Sequence, residues 1–167
     1  MVRIEGQRMS TSETETETGT DSETKTLLHV GLTVSDIKAS VGFYRDVVGM
    51  TVKSEFTGKN DWFDELTSNP GSELSVTHLR LGKYELQLIE YLAGGDVDRA
   101  ALAHNRVGSP HMCFLVTDVE AKFAELTERG DVTITSNVTD IVAGARSFYT
   151  EDPDGVPVEF VQLPRRD

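Results

Sequence analysis

Four side chains recur at matching places in two halves of the chain, and together they could bind a divalent metal ion. His29 and His111 each open a stretch of alternating apolar residues, whereas Gln87 and Glu159 each stand between apolar residues late in their half. Two imidazoles, an amide oxygen and a carboxylate suit a borderline divalent ion, and four such ligands leave positions for water or substrate. A metal of this kind polarises a carbonyl and stabilises the enolate formed when an α-proton leaves.

One of these four ligands has a rival in its own strand. Glu85 shares the parity of Gln87, so both side chains are expected on the same strand face. Gln87 is preferred because it stands in mid-strand, as Glu159 does in the second half. A single strand histidine is more often a surface or core residue than a ligand. The prediction therefore depends on the repetition of the whole set.

The elements that position these side chains form an internal repeat. HVGLTVSDIKA at 29–39 and HMCFLVTDVEA at 111–121 share His, Val, Asp and Ala at the same places. Each stretch begins with period-two alternation, which predicts a strand, and leads into apolar residues at helical spacing. Asp36 or Ser35 is the expected N-cap of the first helix. Three further strands complete each half, so the sequence predicts the order β-α-β-β-β twice.

The predicted fold class is α+β, in which two tandem βαβββ modules form an open, curled mixed β-sheet cleft with the helices outside. Residues 57–73 of the first module are expected to form a long polar connection that contains Trp62 and Phe63. The acidic, Ser/Thr/Glu-rich N-terminal segment cannot bury apolar surface and is expected to be disordered. The predicted segments are this tail at 1–26, the first module at 27–92, a linker at 93–109 and the second module at 110–164.

Composition narrows the possible partners and the compartment. The formal net charge of -12, from 28 acidic and 16 basic residues, argues against binding to nucleic acid or to an anionic membrane. A single cysteine, Cys113, rules out an internal disulfide and a thiolate metal cluster. The sequence shows neither a signal peptide nor a membrane-spanning segment. We therefore expect a cytoplasmic protein with no nucleic-acid or membrane partner.

Four stretches of the chain resemble a known superfamily. HVGLTVSDIKASVGFYRDVVGM, HLRLGKYELQLIEY, HMCFLVTDVEA and RSFYTEDPDGVPVEFVQ look like the vicinal oxygen chelate superfamily. That superfamily includes glyoxalase I, methylmalonyl-CoA epimerase, extradiol dioxygenases and bleomycin or fosfomycin resistance proteins. The resemblance implies paired modules with one divalent ion (Co, Ni, Zn, Mn or Fe(II)) at their interface, held by His29, Gln87, His111 and Glu159. This set is similar to that of methylmalonyl-CoA epimerases, whereas glyoxalase I enzymes more often have Glu at the position of Gln87.

The resemblance also implies an activity. The expected enzyme is an isomerase or lyase of the lactoylglutathione lyase or methylmalonyl-CoA epimerase type, which moves a proton next to a chelated carbonyl of an acyl-CoA or hemithioacetal. Glu159 is expected to be both a ligand and the base. An Fe(II) extradiol-type dioxygenase for catechol-like substrates is the alternative, because His29, His111 and Glu159 form a 2-His-1-carboxylate set. A bleomycin-resistance-like binding protein is a further alternative, and a homodimer is plausible by resemblance.

Five further side chains are candidates for the same site. Some epimerases carry a carboxylate base on the third strand, where this chain has His78, which is a second candidate base or a wall residue. Arg80 lies on the same expected strand face and is a candidate substrate contact. Arg146 either meets a substrate carboxylate or phosphate or forms a surface salt bridge. Trp62 either belongs to a lid or packs, and Cys113 is expected to line the pocket rather than act as a nucleophile.

Overall fold

The computed structural model describes residues 24–95 and 105–165. Most of the predicted tail at 1–26 and the middle of the predicted linker at 93–109 lie outside these ranges, so both boundaries remain predictions. In the described part of the chain, no helix has the length and apolar character needed to cross a membrane.

The first half of the chain forms a four-stranded sheet. Its elements are β1 (Val30–Thr33), α1 (Ile37–Asp46), β2 (Thr51–Gly58), α2 (Asp61–Thr67), β3 (Glu73–Leu81) and β4 (Tyr84–Ala93). The strands lie in the order β1-β4-β3-β2, with β1 parallel to β4 and the other pairs antiparallel.

The second half repeats this arrangement. Its elements are β5 (Met112–Leu115), α3 (Val119–Arg129), β6 (Thr133–Ile134), β7 (Thr139–Asp140), a 3-10 helix (Val142–Gly144), β8 (Arg146–Glu151) and β9 (Pro157–Gln162). The strands lie in the order β5-β9-β8-β6, again with the first strand parallel to the last, and β7 pairs with β8 beside β6. The two open sheets and their helices confirm the predicted α+β fold.

The two long helices begin at equivalent capping residues. The Asp36 carboxylate accepts hydrogen bonds from the backbone N–H groups of Lys38 and Ala39, which confirms Asp36 as the N-cap of α1. Asp118 accepts from Ala121 N–H at the start of α3 in the same way. Helix α3 ends at Gly130, whose positive φ of 68° favours glycine at this position. The repeated Asp seen in the sequence is therefore a repeated helix start.

The larger apolar cluster among the described residues joins the two halves. It contains Tyr44 of α1 and Leu79 and Leu88 of the first sheet, together with Leu126 of α3 and Phe148 of the second sheet, and each of these is fully buried. Burying a large apolar side chain contributes about 1.5–3 kcal/mol to folding. Residues of β3 and β4 that face this core alternate with residues on the opposite face of the first sheet, among them His78 and Gln87. We call that opposite face the open face.

Two buried aspartates of the turn before β9 bind the first half directly. The Tyr44 hydroxyl donates to Asp152 Oδ2 over 2.9 Å, and both the backbone N–H and the hydroxyl of Ser35 donate to Asp154. Asp152 Oδ1 also accepts from the N–H groups of Asp154 and Val156, so one carboxylate closes the turn and reaches α1. Burial raises the pKa of Asp152 above its usual range, and burial followed by the nearby Asp152 charge raises that of Tyr44.

The prediction of a polar connection over 57–73 was wrong in its middle, which forms α2. Phe63 is only 8% exposed and packs on Leu74 and Val76 of β3. The Asp64 carboxylate accepts from the N–H groups of Gly71 and Ser72 and so ties the following turn to the helix. A helix of seven residues is too short to show a clear periodicity, and burial of Phe63 on the sheet stabilises it instead.

The pattern of VTITSNV at 132–138 predicts one of the three further strands of the second half, but within this stretch only β6 forms, and β7 begins after it at Thr139. β6 and β7 both pair with β8. Between them, Ser136 Oγ accepts from Tyr149 N–H, and Thr135 N–H donates to Tyr149 O. These bonds satisfy the backbone of β8 where a continuous strand would otherwise do so.

Candidate active site

His78 and Gln87 lie directly opposite each other on β3 and β4 and share the open face of the first sheet. Their Nε2 atoms are 3.1 Å apart, which is a hydrogen bond. The His29 ring meets the His78 ring edge to face, with centroids 5.6 Å apart. We call His29, His78 and Gln87 the first half-site.

The orientation of Gln87 follows from its two neighbours. Its amide N–H donates to His78 Nε2, so the hydrogen of the neutral His78 ring is on Nδ1. Its oxygen points to β1, where a Cβ added at Gly31 would lie 3.7 Å from Oε1. Because Gly31 has no side chain, no Cβ of this residue contacts the amide oxygen. Burial, followed by the nearby His29 ring, lowers the pKa of His78 below its usual value.

The second half-site comprises His111, Cys113, Tyr149 and Glu159. The Tyr149 hydroxyl donates to Glu159 Oε2 over 3.1 Å, and the His111 and Tyr149 ring centroids are 6.2 Å apart. Cys113 lies beside Glu159 in the parallel pairing of β5 with β9. Two donors therefore surround one carboxylate, since the Cys113 thiol is also hydrogen-bonded to Glu159.

Both donors to Glu159 keep their protons at neutral pH. Local desolvation, followed by the hydrogen bond to Glu159, raises the pKa of the Cys113 thiol to about 11. The same two causes, in the same order, raise the pKa of Tyr149 to about 12. A thiol with so high a pKa is a poor nucleophile, in agreement with the expectation for Cys113.

The two half-sites occupy the same positions of the repeat. In the first half, Gly31 pairs with Gln87, which pairs with His78. In the second half, the corresponding row is Cys113, Glu159 and Tyr149. His29 and His111 each precede the first strand of their half by one residue. Sequence analysis missed Tyr149, although it stands ten residues before Glu159 much as His78 stands nine before Gln87.

The four predicted metal ligands divide between the two half-sites. Each half-site contributes one histidine, and Gln87 and Glu159 supply the oxygen donors. Across residues 24–95 and 105–165, no three His, Cys, Asp or Glu side chains stand together as a group that could hold a metal ion. The structure thus shows two matched sets of donors, one on each sheet.

The rival ligand Glu85 is engaged by two cations. Its carboxylate lies 2.6 Å from Lys53 Nζ and 3.6 Å from Arg80, and its side chain is only 9% exposed. Lys53, followed by Arg80, holds the pKa of Glu85 below its usual range. These ion pairs favour Gln87 as the oxygen donor of the first half-site. Arg80 lies one row from His78, as expected, and half of its side chain is exposed.

The remaining two candidates lie in different surroundings. Arg146 has the strand parity of the buried Phe148, opposite to Tyr149, and forms ion pairs with Glu120 and Asp140. This placement favours the salt-bridge alternative, so Arg146 is left out of the proposed site. Trp62 belongs to α2 and its ring stacks on Phe63 at 3.8 Å between centroids, yet 56% of the residue is exposed.

Comparison with known proteins identifies the family. The model of the Glyoxalase/Bleomycin resistance protein/Dioxygenase superfamily matches residues 26–160. The chain belongs to this superfamily. It is 30% identical over 146 residues to 2-epi-5-epi-valiolone epimerase of Actinomyces sp., covering 81% of this chain and 78% of that protein. It is 26% identical over 140 residues to mitochondrial methylmalonyl-CoA epimerase of Mus musculus, covering 81% and 72%.

A solved structure supports the superfamily fold. A glyoxalase family protein from Bacillus cereus superimposes with a TM-score of 0.76, covering 86% of this chain and 98% of that one, at 16% sequence identity. This likeness concerns the fold alone. The predicted resemblance to the superfamily is confirmed.

Proposed function

We propose that this superfamily member is a metal-dependent isomerase or lyase that moves a proton next to a carbonyl of a small-molecule substrate. The observation that supports this most is the matched pair of half-sites, with a neutral oxygen donor in one and a carboxylate in the other. Relatives named epimerases are consistent with proton transfer.

The proposed ligands are His29, Gln87, His111 and Glu159. Members of the superfamily typically bind a divalent metal, and two imidazoles with two oxygen donors suit Co, Ni, Zn, Mn or Fe(II). A bound ion would supply Lewis-acid polarisation of the substrate carbonyl. The Gln87 amide oxygen fits this role, because the amide nitrogen is already hydrogen-bonded to His78.

Glu159 is the proposed base, because it is the one carboxylate in the two half-sites. It would take the α-proton and return it, on the same face of the substrate, to the neighbouring carbon; epimerisation at the α-carbon would instead need a proton from solvent on the opposite face. Tyr149 fixes the carboxylate through Oε2 and, with a pKa of about 12, stays a donor throughout.

We assign His78 a positioning role instead of the role of second base. Its Nε2 lone pair, which a base would need, accepts the Gln87 amide hydrogen. By holding the amide nitrogen, His78 keeps the amide oxygen facing β1. Removal of a residue that orients a metal ligand commonly weakens metal binding by about 10- to 100-fold. We expect a loss of about that size when His78 is replaced.

The activity is tested by α-proton exchange. Protein reconstituted with Co, Ni, Zn or Mn is incubated in D₂O with methylmalonyl-CoA or with the methylglyoxal–glutathione hemithioacetal, and deuterium uptake is followed by NMR. Exchange that stops on chelation supports the proposal. Oxygen consumption by the iron-loaded protein in the presence of catechol would contradict the proposal and favour a dioxygenase. Tight binding of these compounds without turnover would indicate a binding protein.

We also propose a homodimer, since members of the superfamily often form dimers. Light scattering after size exclusion should give twice the 18.4 kDa mass of one chain. A mass of one chain at micromolar concentration would contradict this.

A further inference from the structure

The open face of the first sheet is sorted into rows of different chemistry. The row of the first half-site holds Ser54, His78 and Gln87, which pair across β2, β3 and β4. The rows on either side lie two residues away along the strands, or about 7 Å. One neighbouring row is charged, and the other is apolar.

The charged row presents more cation than anion. Glu85 pairs with Arg80 across the strands, and Lys53 reaches the same carboxylate at 2.6 Å. The Glu85 side chain is 9% exposed, whereas those of Lys53 and Arg80 are 49% and 52% exposed. Two cations therefore share one largely covered carboxylate and keep N–H groups toward solvent. In a chain of net charge -12, this local excess of positive charge stands out.

The apolar row leads to α2. Phe56, Val76 and Ile89 face the same side as His78 and Gln87, and Phe63 of α2 packs over this row. The rings of Phe56 and Trp62 both lie against the Phe63 ring, with centroid distances of 5.6 and 3.8 Å. They remain 44% and 56% exposed, so apolar ring surface is accessible beside the polar row.

We infer that the substrate is a carbonyl compound with an anionic group on one side and an apolar chain of several carbons on the other. The anionic group binds Lys53 and Arg80, and the chain lies on Phe56 and Trp62. The carbonyl then falls at the row of His78 and Gln87. This inference rests on the proposed function for the position of the reacting carbonyl, and it makes Lys53 and Phe56 the residues that determine specificity.

The test uses 2-oxooctanoate, 2-oxobutanoate and the uncharged 2-octanone as probes, with chelator-treated protein so that metal binding plays no part. Dissociation constants come from ligand-observed NMR titration. Trp62 fluorescence reports the place of binding, because Trp62 is the only tryptophan in the sequence. Each methylene that leaves water is expected to tighten binding about three- to fourfold. 2-Oxooctanoate should thus bind at least about tenfold more tightly than 2-oxobutanoate and shift the Trp62 emission.

Two variants separate the ends of the site. Lys53→Gln should weaken the binding of 2-oxooctanoate about threefold at low salt and leave the affinity for 2-octanone unchanged. Lys38→Gln, at an exposed residue, should change neither affinity. Phe56→Thr should remove most of the chain-length preference, with Val52→Thr on the same strand as its control. Absence of binding, equal affinity for both acids, or an unchanged affinity in Lys53→Gln would overturn the inference. Each result is independent of whether the loaded protein exchanges α-protons.

Discussion

The two half-sites have the same backbone register and different chemistry. In the first, the Gln87 amide N–H donates to the neutral His78 imidazole, and in the second, the Glu159 carboxylate accepts from the Tyr149 hydroxyl. An amide has one oxygen and must be turned to present it, whereas a carboxylate has two equivalent oxygens and carries charge. In the proposed function, the first half-site contributes metal ligands only, whereas the second contributes both metal ligands and the base.

The largest effect on the rate of α-proton exchange is expected when the carboxylate of the second half-site is replaced by an amide, as in the first. Glu159→Gln should lower α-proton exchange by about 10²- to 10⁴-fold, because an amide cannot act as a base. The bound metal should be retained at one equivalent, since the amide oxygen still ligates. Glu128→Gln on the exposed face of α3 is the matched control. Exchange at the normal rate in Glu159→Gln would show that another residue is the base.

Both half-sites can bind one metal ion only if the two halves of the chain remain packed together. Tyr44→Phe removes the hydroxyl that reaches Asp152 across the halves and leaves a buried carboxylate oxygen without this donor. The expected loss in the free energy of unfolding is about 1–3 kcal/mol, measured by urea denaturation. Tyr84→Phe, at a residue 67% exposed, should lose almost nothing. Equal stability of the two variants would contradict the importance of this contact.

The same variant has a defined pH dependence. Because the pKa of Tyr44 is raised in the folded protein, the folded state holds this proton more tightly than the unfolded chain does. The contribution is fully present below about pH 10, the pKa of the unfolded phenol, and is lost as the pH rises above it. The difference in stability between the native protein and Tyr44→Phe should therefore shrink above about pH 10. A difference that grows at alkaline pH would refute this.

Only an amide ligand needs a partner to orient its oxygen, so the role of His78 should depend on whether residue 87 is Gln or Glu. His78→Ala should weaken metal binding about tenfold, because the Gln87 amide can then rotate. In a Gln87→Glu background, the same change should cost less than about threefold, since either carboxylate oxygen can ligate. Metal affinities are measured by competition with a chelating indicator. An equal loss in both backgrounds would contradict the positioning role, and a loss of rate with unchanged affinity would restore His78 as a base.

The smallest effect is expected at the position of the second half that matches His78. Tyr149→Phe removes one donor from Glu159, but the Cys113 thiol remains bonded to that carboxylate. A net hydrogen bond contributes about 0.5–1.5 kcal/mol, so exchange should fall about two- to tenfold with metal affinity nearly unchanged. A complete loss of activity with intact metal would assign Tyr149 a direct part in proton transfer.

Sequence patterns predicted what is local or repeated. The strand alternation placed Leu79, Leu86 and Leu88 on the core side, and the repeated Asp located both helix starts. The pattern could not reveal α2, because seven residues give too little periodicity and Phe63 is buried by packing on the strand that follows, β3. Tertiary contacts of this kind decide such short segments, and a single sequence does not display them.

The candidate site was predicted unevenly for the same reason. Parity placed Gln87 and Glu159 on the face opposite the core, but it could not show that Glu85 is engaged by Lys53. Parity with Phe148 would have placed Arg146 away from Glu159, since successive strand residues alternate between faces. Matching the two repeats position by position would have found Tyr149. The bond from Tyr44 to Asp152 crosses 108 residues and has no sequence signal of its own.

If both half-sites bind the same metal ion, elemental analysis of the reconstituted protein should give one equivalent of a divalent metal per chain. This metal should be lost in His29→Ala and equally in His111→Ala, and retained in Glu128→Gln. Circular dichroism should show that both histidine variants remain folded. Two equivalents per chain, retention in either folded histidine variant, or no metal in the native protein after reconstitution would contradict the account.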